Sequence, residues 1–390
     1  MKVYLDTNVY EEALKRIRRI FDEFPEVYVS VSGGKDSTII WNLAMIVAKE
    51  KDRLPLKTVF LDQEAEYEHT IKHIKEIMYH EDVEPYWLQV PIILFNATSA
   101  TEEWLECWNP EDEENWMRPK DPIAMTENIW GTDRFVDFFR HFMAKETELS
   151  EQGKTAMLTG MRGEESPRRL LGVINALTYK DISWGVKNNY NKNTFQFHPI
   201  YDWSYRDVWK AIHDNKWSYN KIYDYQYQHG VGILQMRVSN LHHETAVQNL
   251  FFLQEIEPET YQKLTKRLSG IDTANKLGAD DYFVRDLPYM FKGWYEYRDY
   301  LLDKLVKDEH KPKFNKIFAK TQARFGPVVG EEKVGKTHVQ SILANDYHGT
   351  KVEDAESMWR LEEKSQKRVK ANAMAKEEAE RSREQRRISE

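Results

Sequence analysis

Residues 32–37, Ser-Gly-Gly-Lys-Asp-Ser, follow a run of β-branched residues and precede a stretch with the pattern of a buried helix. Two adjacent glycines let the backbone turn tightly and bring its N–H groups close to an anion. A helix that begins near Asp36 adds the positive end of its dipole, and Lys35 adds a point charge. This order of residues predicts a phosphate-binding loop at a strand end. The alternative is an ordinary Gly-Gly turn before a capped helix.

Asp36 is the unusual member of this loop, because a carboxylate is repelled by phosphate. Its presence makes sense if it holds Mg²⁺ or caps the following helix. Ser32, Ser37 and Thr38 supply hydroxyl donors. We expect the Lys35 side chain to be exposed at the strand end.

A second polar segment, residues 160–169, reads Gly-Met-Arg-Gly-Glu-Glu-Ser-Pro-Arg-Arg after a predicted strand. Its three arginines, Arg162, Arg168 and Arg169, suit bidentate contact with phosphate or sulfate. The alternative is that they are surface arginines paired with Glu164 and Glu165.

Strand and helix patterns alternate through the first half of the chain. Strands are predicted at 27–31, 56–61, about 86–90 and 155–159, and helices at 9–24, 38–49, 67–79 and 135–149. This alternation predicts an α/β fold with a doubly wound parallel sheet. The strand end at Leu61 and Asp62 would then lie beside the phosphate loop, where backbone atoms can read an adenine edge.

Composition divides the chain into three expected parts. They are a nucleotide-binding domain at 1–225 with an acidic insertion at about 97–130, a helical C-terminal domain at 226–345, and a tail at 346–390. The centre of the insertion, residues 101–116, has seven carboxylates, three Trp and no Lys or Arg, which places it at the edge of the site. The tail is rich in Lys, Arg and Glu, which is typical of a solvated helix or a disordered segment.

Net charge, mean hydropathy and cysteine content argue against several classes of protein. A net charge of −8 argues against a generally basic nucleic-acid binder, and the mean hydropathy of −0.72 argues against a membrane span. One cysteine, Cys107, excludes an intramolecular disulfide and any multi-thiolate metal site. The first 15 residues show no export signal, so we expect a cytoplasmic protein with no membrane partner.

Four segments resemble those of the phosphoadenosine phosphosulfate (PAPS) reductase family and follow the same order along the chain. They are residues 32–37, 59–67, 160–169 and 198–209. This family belongs to the PP-loop, or adenine nucleotide α-hydrolase-like, superfamily, and the likeness covers about residues 25–225. The resemblance implies that an adenine nucleotide, ATP or PAPS, is bound by Ser32, Gly33, Gly34, Lys35, Asp36, Ser37, Thr38, Leu61, Asp62, Gly160, Arg162, Glu165, Arg168 and Arg169.

The chain departs from the family in its cysteines. PAPS reductases resemble one another in a nucleophilic cysteine near the C-terminus, and this chain has none there. Cys107 lies among acidic residues that would raise its pKa, so we expect an unreactive thiol. The C-terminal part, around residues 287–298, resembles a cysteine-poor prophage subgroup that includes immunoglobulin-binding regulator A, which is paired with a ParB-like partner.

Three functions follow from these patterns and the resemblance. The leading hypothesis is an enzyme that cleaves ATP between its α and β phosphates and leaves an adenylylated acceptor. In it Lys35 neutralises the leaving pyrophosphate, Asp36 holds Mg²⁺, and Arg162 steadies the α-phosphate or an acceptor. The second hypothesis is a non-enzymatic nucleotide-sensing regulator with a ParB-like or DNA-associated partner. The third is a conventional PAPS reductase.

Two other signals are set aside. Residues 330–337, Gly-Glu-Glu-Lys-Val-Gly-Lys-Thr, fit the Walker A pattern, but no buried strand precedes them, and a flexible loop before a helix is the better interpretation. The pair His69 and His73 lacks a clear third ligand for zinc.

Overall fold

The computed structural model describes residues 6–96, 104–151, 153–174, 177–233, 236–238, 240–242, 250–268, 286–343, 346–347, 349 and 351–367. Contacts divide the chain into two compact units, Met1–Tyr282 (unit 1) and Phe283–Glu390 (unit 2). This division falls later than the predicted boundary at 225, and the three-part scheme stays a prediction.

Unit 1 is built on a six-stranded sheet with the order β3-β2-β1-β6-β8-β7. All neighbours are parallel except the edge strand β7, which runs antiparallel to β8. A separate antiparallel hairpin pairs β4 with β5. The strands are β1 (Glu26–Ser30), β2 (Leu56–Leu61), β3 (Val83–Leu88), β4 (Ile92–Phe95), β5 (Trp104–Cys107), β6 (Thr155–Leu158), β7 (Gly185–Lys187) and β8 (Thr194–Phe197).

Helices flank this sheet, as the periodicity predicts. Asn8 caps the first of them, because its Oδ1 accepts from Tyr10 N at 2.8 Å, and its apolar stripe is buried. The helices of unit 1 are α1 (Val9–Glu23), α2 (Lys35–Glu50), α3 (Glu68–Met78), α4 (Phe135–Leu149), α5 (Pro167–Ile174), α6 (Tyr205–Asn215), α7 (Ile222–Gln228), α8 (Leu250–Ile256) and α9 (Pro258–Arg267). In the described part of the chain, no helix has both the length and the apolar character that a membrane crossing needs.

Strand order explains where a ligand can bind. From β1 the chain moves outward through β2 and β3 on one side, and β6 then pairs with the other side of β1. The direction in which the chain adds strands to the sheet therefore reverses between β1 and β6. Ligands of open α/β sheets bind at such a switch point. The loops after β1 and β6 are residues 31–34 and 159–162, so both predicted polar segments meet at one edge. The α/β fold with a mostly parallel sheet is confirmed.

Unit 2 is helical in its described residues. Its helices are α10 (Trp294–Lys304), α11 (Lys311–Val329), α12 (Glu331–Leu343) and α13 at 351–367. The Walker A look-alike is helical from Glu331 onward, so the expected flexible loop is wrong, while the rejection of a phosphate loop agrees with the structure. Gly330 ends α11 with a φ of +89°, and Gly335 lies against Trp294. Gly330 is therefore favoured by its backbone angle at the helix end, and Gly335 by the space against Trp294.

Gly335→Ala is expected to destabilise unit 2 by about 1–3 kcal/mol, since overpacking a tight contact costs that much. A Cβ there would lie 2.6 Å from Trp294 Cβ, which belongs to a buried residue. Gly326 in α11 is the matched control, because its Cβ would meet Tyr295 Oη at an ordinary 3.9 Å. Urea unfolding of the full chain should show Gly326→Ala equal to or more stable than the wild type. Equal loss in both variants would contradict this packing role.

Candidate functional site

The loop after β1 is held in its turn by hydrogen bonds to the hydroxyl group of Ser37. Ser32 N donates to Ser37 Oγ at 3.1 Å, and Ser37 Oγ donates to Gly34 O at 2.9 Å. Gly33 has a φ of +69°, and a Cβ there would lie 2.6 Å from Thr70 Cγ2. Position 33 therefore requires glycine for both its backbone angle and its space. The N–H groups of the first turn of α2 have no acceptor within the helix, and that of Lys35 donates to the Tyr223 hydroxyl at 3.1 Å.

Thr38 fixes the loop to the neighbouring helix α3. Its hydroxyl donates to Gly34 O at 3.0 Å and lies 2.8 Å from His73 Nε2. Because the Thr38 proton is used on Gly34, His73 donates from Nε2. Burial lowers the pKa of His73, which keeps the ring neutral.

Lys35 is buried at the start of α2, with 7% of its surface exposed, so the expectation of an exposed lysine is wrong. Its Nζ lies 3.2 Å from Asp36 Oδ2 and 5.3 Å from the centre of the Tyr223 ring. Burial lowers the pKa of Lys35, and the Asp36 carboxylate opposes that shift. The ammonium group is thus held at the loop by a carboxylate and an aromatic face.

Arg162 reaches the same carboxylate from the end of β6. Its Nε donates to Asp36 Oδ1 at 2.6 Å, and its Nη1 donates to Glu164 Oε2 at 2.9 Å. With 4% exposure, Arg162 is a buried arginine that crosses between two loops, and its pairing with Glu164 is one of its contacts. The structure therefore brings together Lys35, Asp36 and Arg162, the three predicted catalytic residues.

Gly160 lets these two loops approach. A Cβ at this position would lie 2.5 Å from both Asp36 C and Asp36 O, and 2.7 Å from Ser37 N. Those atoms are backbone, so they cannot move aside as a flexible side chain would. The lack of a side chain at position 160 is what allows the loops after β1 and β6 to lie this close together.

Leu61 and Asp62 lie at the end of β2, and both are buried. The Asp62 carboxylate accepts from Trp87 Nε1 at 2.9 Å, from Gln89 Nε2 at 2.9 Å and from Arg118 Nη2 at 2.5 Å. Its oxygens are thus engaged by the protein, and we infer that Asp62 acts by holding this loop in place. The predicted nucleotide contacts of Leu61 and Asp62 stay predictions.

The acidic insertion is fastened to this loop by Glu64, which sequence reasoning missed. Glu64 is fully buried, its Oε1 accepts from Arg267 Nε at 2.7 Å, and its Oε2 accepts from Trp108 N at 2.9 Å. Nearby, burial first and the charge of Asp62 second raise the pKa of Glu66 to about 8. Residues 97–103 lie outside the described part of the insertion.

The remaining arginines of the second segment are placed differently. Arg169 forms an ion pair with Glu165, and its side chain is about half exposed. The Arg168 side chain lies outside the described residues. Of the three predicted arginines, Arg162 is the one that the described structure brings to the loop, and a phosphate-binding role of Glu165, Arg168 and Arg169 stays a prediction.

Tyr223 at the start of α7 is the second residue that sequence reasoning missed. Its hydroxyl accepts from Lys35 N at 3.1 Å, and burial raises its pKa, so it stays protonated. Asn220 Nδ2 donates to Gly33 O at 3.1 Å from the same segment. Tyr223 lies in an aromatic run at 217–227, which was the available signal in the sequence.

Tyr223→Phe is expected to weaken ATP binding about 3–10-fold, the net worth of one neutral hydrogen bond. The Tyr223 oxygen accepts from Lys35 N, so its own proton is free to be donated to a phosphate oxygen. Tyr219→Phe is the matched control, because its hydroxyl donates to Asp224 Oδ1 at 2.8 Å instead. Calorimetric titration measures both. Tighter binding by Tyr223→Phe would mean that the hydroxyl competes with phosphate for Lys35 N.

A metal site at Asp36 does not fit this geometry. Both carboxylate oxygens already lie near cations, Oδ1 at Arg162 and Oδ2 at Lys35. Within the described ranges, no group of three or more His, Cys, Asp or Glu side chains could hold a metal ion. Asp36 is arranged as an anion that bridges two cations, and we derive no step through a metal bound to it.

Known proteins with similar sequences include two that are described as uncharacterized. The chain is 27% identical over 331 residues to YbdN of Escherichia coli (strain K12), covering 81% of this chain and 80% of that protein. It is 27% identical over 218 residues to MJ0066 of Methanocaldococcus jannaschii, covering 56% of this chain and 38% of that protein.

Solved structures with some likeness include two kinds of nucleotide enzyme. One is FMN adenylyltransferase of Candida glabrata with FMN and the ATP analogue AMPCPP, at 13% identity and a TM-score of 0.36, covering 62% of this chain and 66% of that one. The other is PAPS reductase of Candida auris in a phosphate complex, at 14% identity and a TM-score of 0.32, covering 62% of this chain and 99% of that one.

Two family models match adjacent parts of the chain. The one described as "Domain of unknown function (DUF3440)" matches residues 230–375. The one described as "Phosphoadenosine phosphosulfate reductase domain" matches residues 26–232, which is 207 of 390 residues and includes both loops of the site. The chain therefore belongs to the phosphoadenosine phosphosulfate reductase domain family and has its PP-loop nucleotide-binding fold.

Proposed function

We propose that this protein binds ATP at the loop after β1 and cleaves it between the α and β phosphates, transferring AMP to an acceptor. The observation that supports this best is the meeting of Lys35, Asp36 and Arg162 at the switch point of the sheet. Two buried cations share one carboxylate there, beside the first-turn amides of α2. This arrangement suits an anion with several phosphates.

Each residue of the group has a role in this reaction. The bond between the α-phosphorus and the bridging oxygen breaks, a bond from the acceptor to the α-phosphorus forms, and the acceptor loses a proton. Lys35 and the amides of the first turn of α2 neutralise the pyrophosphate that leaves. Arg162 steadies the α-phosphate, and Asp36 keeps both cations in position.

Thiol chemistry has little support in this geometry. Cys107, the single cysteine of the chain, is fully buried, and its Sγ donates to Gln63 O at 3.1 Å. Burial first and the nearby Glu64 second raise the pKa of Cys107 well above its usual range. A nucleophilic thiol needs the opposite, a lowered pKa and access to substrate.

Cys107→Ser is expected to leave nucleotide turnover essentially unchanged, because the buried thiol takes no part in the proposed reaction. The native wild-type protein should also fail to react with a thiol reagent until denaturant is added. A folded Cys107→Ser protein without turnover would contradict the proposal and favour reductase chemistry.

The proposal itself is tested with ATP labelled at the α-phosphate and an extract of small molecules as the source of acceptor. Label should appear in AMP or an adenylylated product, with pyrophosphate released, and the Lys35→Ala variant should lose this activity. Release of ADP and inorganic phosphate would contradict cleavage at this bond. Tight binding without turnover would favour the nucleotide-sensing regulator.

A further inference from the structure

Helix α11 of unit 2 (Lys311–Val329) contains five basic residues and no Asp or Glu. Four of them, Lys313, Lys316, Lys320 and Arg324, follow one another at steps of three, four and four residues, which places them on one side of the helix. We call these four residues the basic stripe. All four are exposed, whereas the apolar side of the helix is buried through Phe314, Phe318, Thr321 and Phe325.

The described structure gives the basic stripe no ion-pair partner. Lys311, just outside it, pairs with Asp308 at 2.7 Å, but no described carboxylate lies within 4.0 Å of the four stripe cations. Arg324 lies over the Phe325 ring at 4.9 Å, and Glu363 near it pairs with Lys367. Unit 2 has 23 basic and 19 acidic residues, a net charge of +4 within a chain of −8. Much of this excess lies in sequence outside the described residues, so the observation that carries weight is the row of four exposed cations on one side of α11.

The residue types on the exposed side of α11 indicate which kind of partner the basic stripe can bind. Protein interfaces place aromatic residues at their centre and are depleted in Lys, but the exposed positions between the stripe cations are Asn315, Ala319 and Ala323. A membrane-surface helix needs an exposed apolar side, and that of α11 is buried. A flexible single strand is usually bound through exposed aromatic rings, which this side of the helix lacks. A row of point charges along one side of a helix instead matches the regular phosphates of a duplex.

We propose that the basic stripe binds the phosphate backbone of duplex nucleic acid without reading its sequence. The four cations span roughly 16 Å, at about 1.5 Å of rise per residue. A duplex presents a negative charge about every 1.7 Å along its axis, so all four cations can find phosphates within that length. This inference is independent of the proposed ATP reaction, since none of the residues that carry it belongs to unit 1.

The test is fluorescence anisotropy of the full chain with a labelled duplex of roughly 30 base pairs, over about 50–200 mM salt. Four phosphate contacts predict a slope of about −3.6 for log K against log salt, and so a loss of affinity of roughly 100-fold over that range. The variant with all four stripe residues changed to Gln should bind at least about 10-fold more weakly and lose most of that slope. Duplex DNA and duplex RNA should bind within a few-fold of each other.

The matched control changes four exposed lysines of unit 1, Lys72, Lys187, Lys192 and Lys216, to Gln. It should bind like the wild type, and far-UV circular dichroism should show both variants folded. The proposal is overturned if the wild type does not bind duplex, if the stripe variant binds as well as the wild type, or if the control loses as much. Tighter binding to a single strand, or equal competition by polyglutamate at matched charge, would also overturn it in favour of another partner.

Discussion

Lys35→Ala should bind ATP roughly 10–150-fold more weakly than the wild type, the range that one charge-assisted contact to phosphate supplies. Its ammonium group lies at the phosphate loop, 3.2 Å from Asp36 Oδ2. Asp36 is expected to keep its contact with Arg162, 2.6 Å long in the wild type, so the partly buried carboxylate is not left without a cation. We therefore expect a folded protein whose site lacks one charge.

Calorimetric titration with ATP measures this loss, and Lys49→Ala is the matched control. Lys49 lies near the other end of the same helix and pairs with Asp82 at 2.8 Å, far along α2 from the loop. The control should bind ATP like the wild type. Unchanged affinity in Lys35→Ala would remove the assignment of this loop as the nucleotide site.

Gly160→Ala is expected to have the second large effect, because its Cβ would lie 2.5 Å from the Asp36 backbone. The loops after β1 and β6 must separate to relieve that contact. The separation should cost about 1–3 kcal/mol of stability, as overpacking does. It should also lower turnover roughly 100-fold, since misplacing reacting groups by about 1 Å costs that much.

Gly172→Ala is the control for this substitution. Gly172 lies in α5, which follows the loop that contains Arg162, and a Cβ there would meet nothing within 4 Å. We expect it to match or exceed the wild type in stability, because alanine favours a helix by roughly 1 kcal/mol over glycine. If Gly160→Ala behaved like Gly172→Ala in urea unfolding and in turnover, neither stability nor turnover would depend on the close approach of the two loops.

The sequence was sufficient to predict four of the six strands of the sheet and the position of the phosphate loop at the end of β1. Strands β1, β2 and β6 are short β-branched or apolar runs that end at glycine or at polar residues, which is a strong local signal. Strand β3 begins at Val83, earlier than the predicted 86, because Val83-Glu84-Pro85 has little of that pattern. Strands β7 and β8 have three and four residues, too few for alternation to show, and were not predicted.

The parts of the site that escaped prediction depend on contacts between distant residues. Glu64 and Arg267 are separated by 203 positions, and Lys35 and Tyr223 by 188. No local pattern reports such pairs. The burial of Lys35 was missed for the same reason, because the residues that cover it, among them Tyr223, arrive late in the chain.

A crystal structure of the protein with an ATP analogue that resists cleavage between the α and β phosphates tests the central claim most directly. We expect the β and γ phosphates at the first-turn amides of α2 beside Lys35, the α-phosphate near Arg162, and the adenine ring at the end of β2 near Leu61. A nucleotide bound elsewhere, or phosphates that leave Lys35 and Arg162 without contact, would contradict the account.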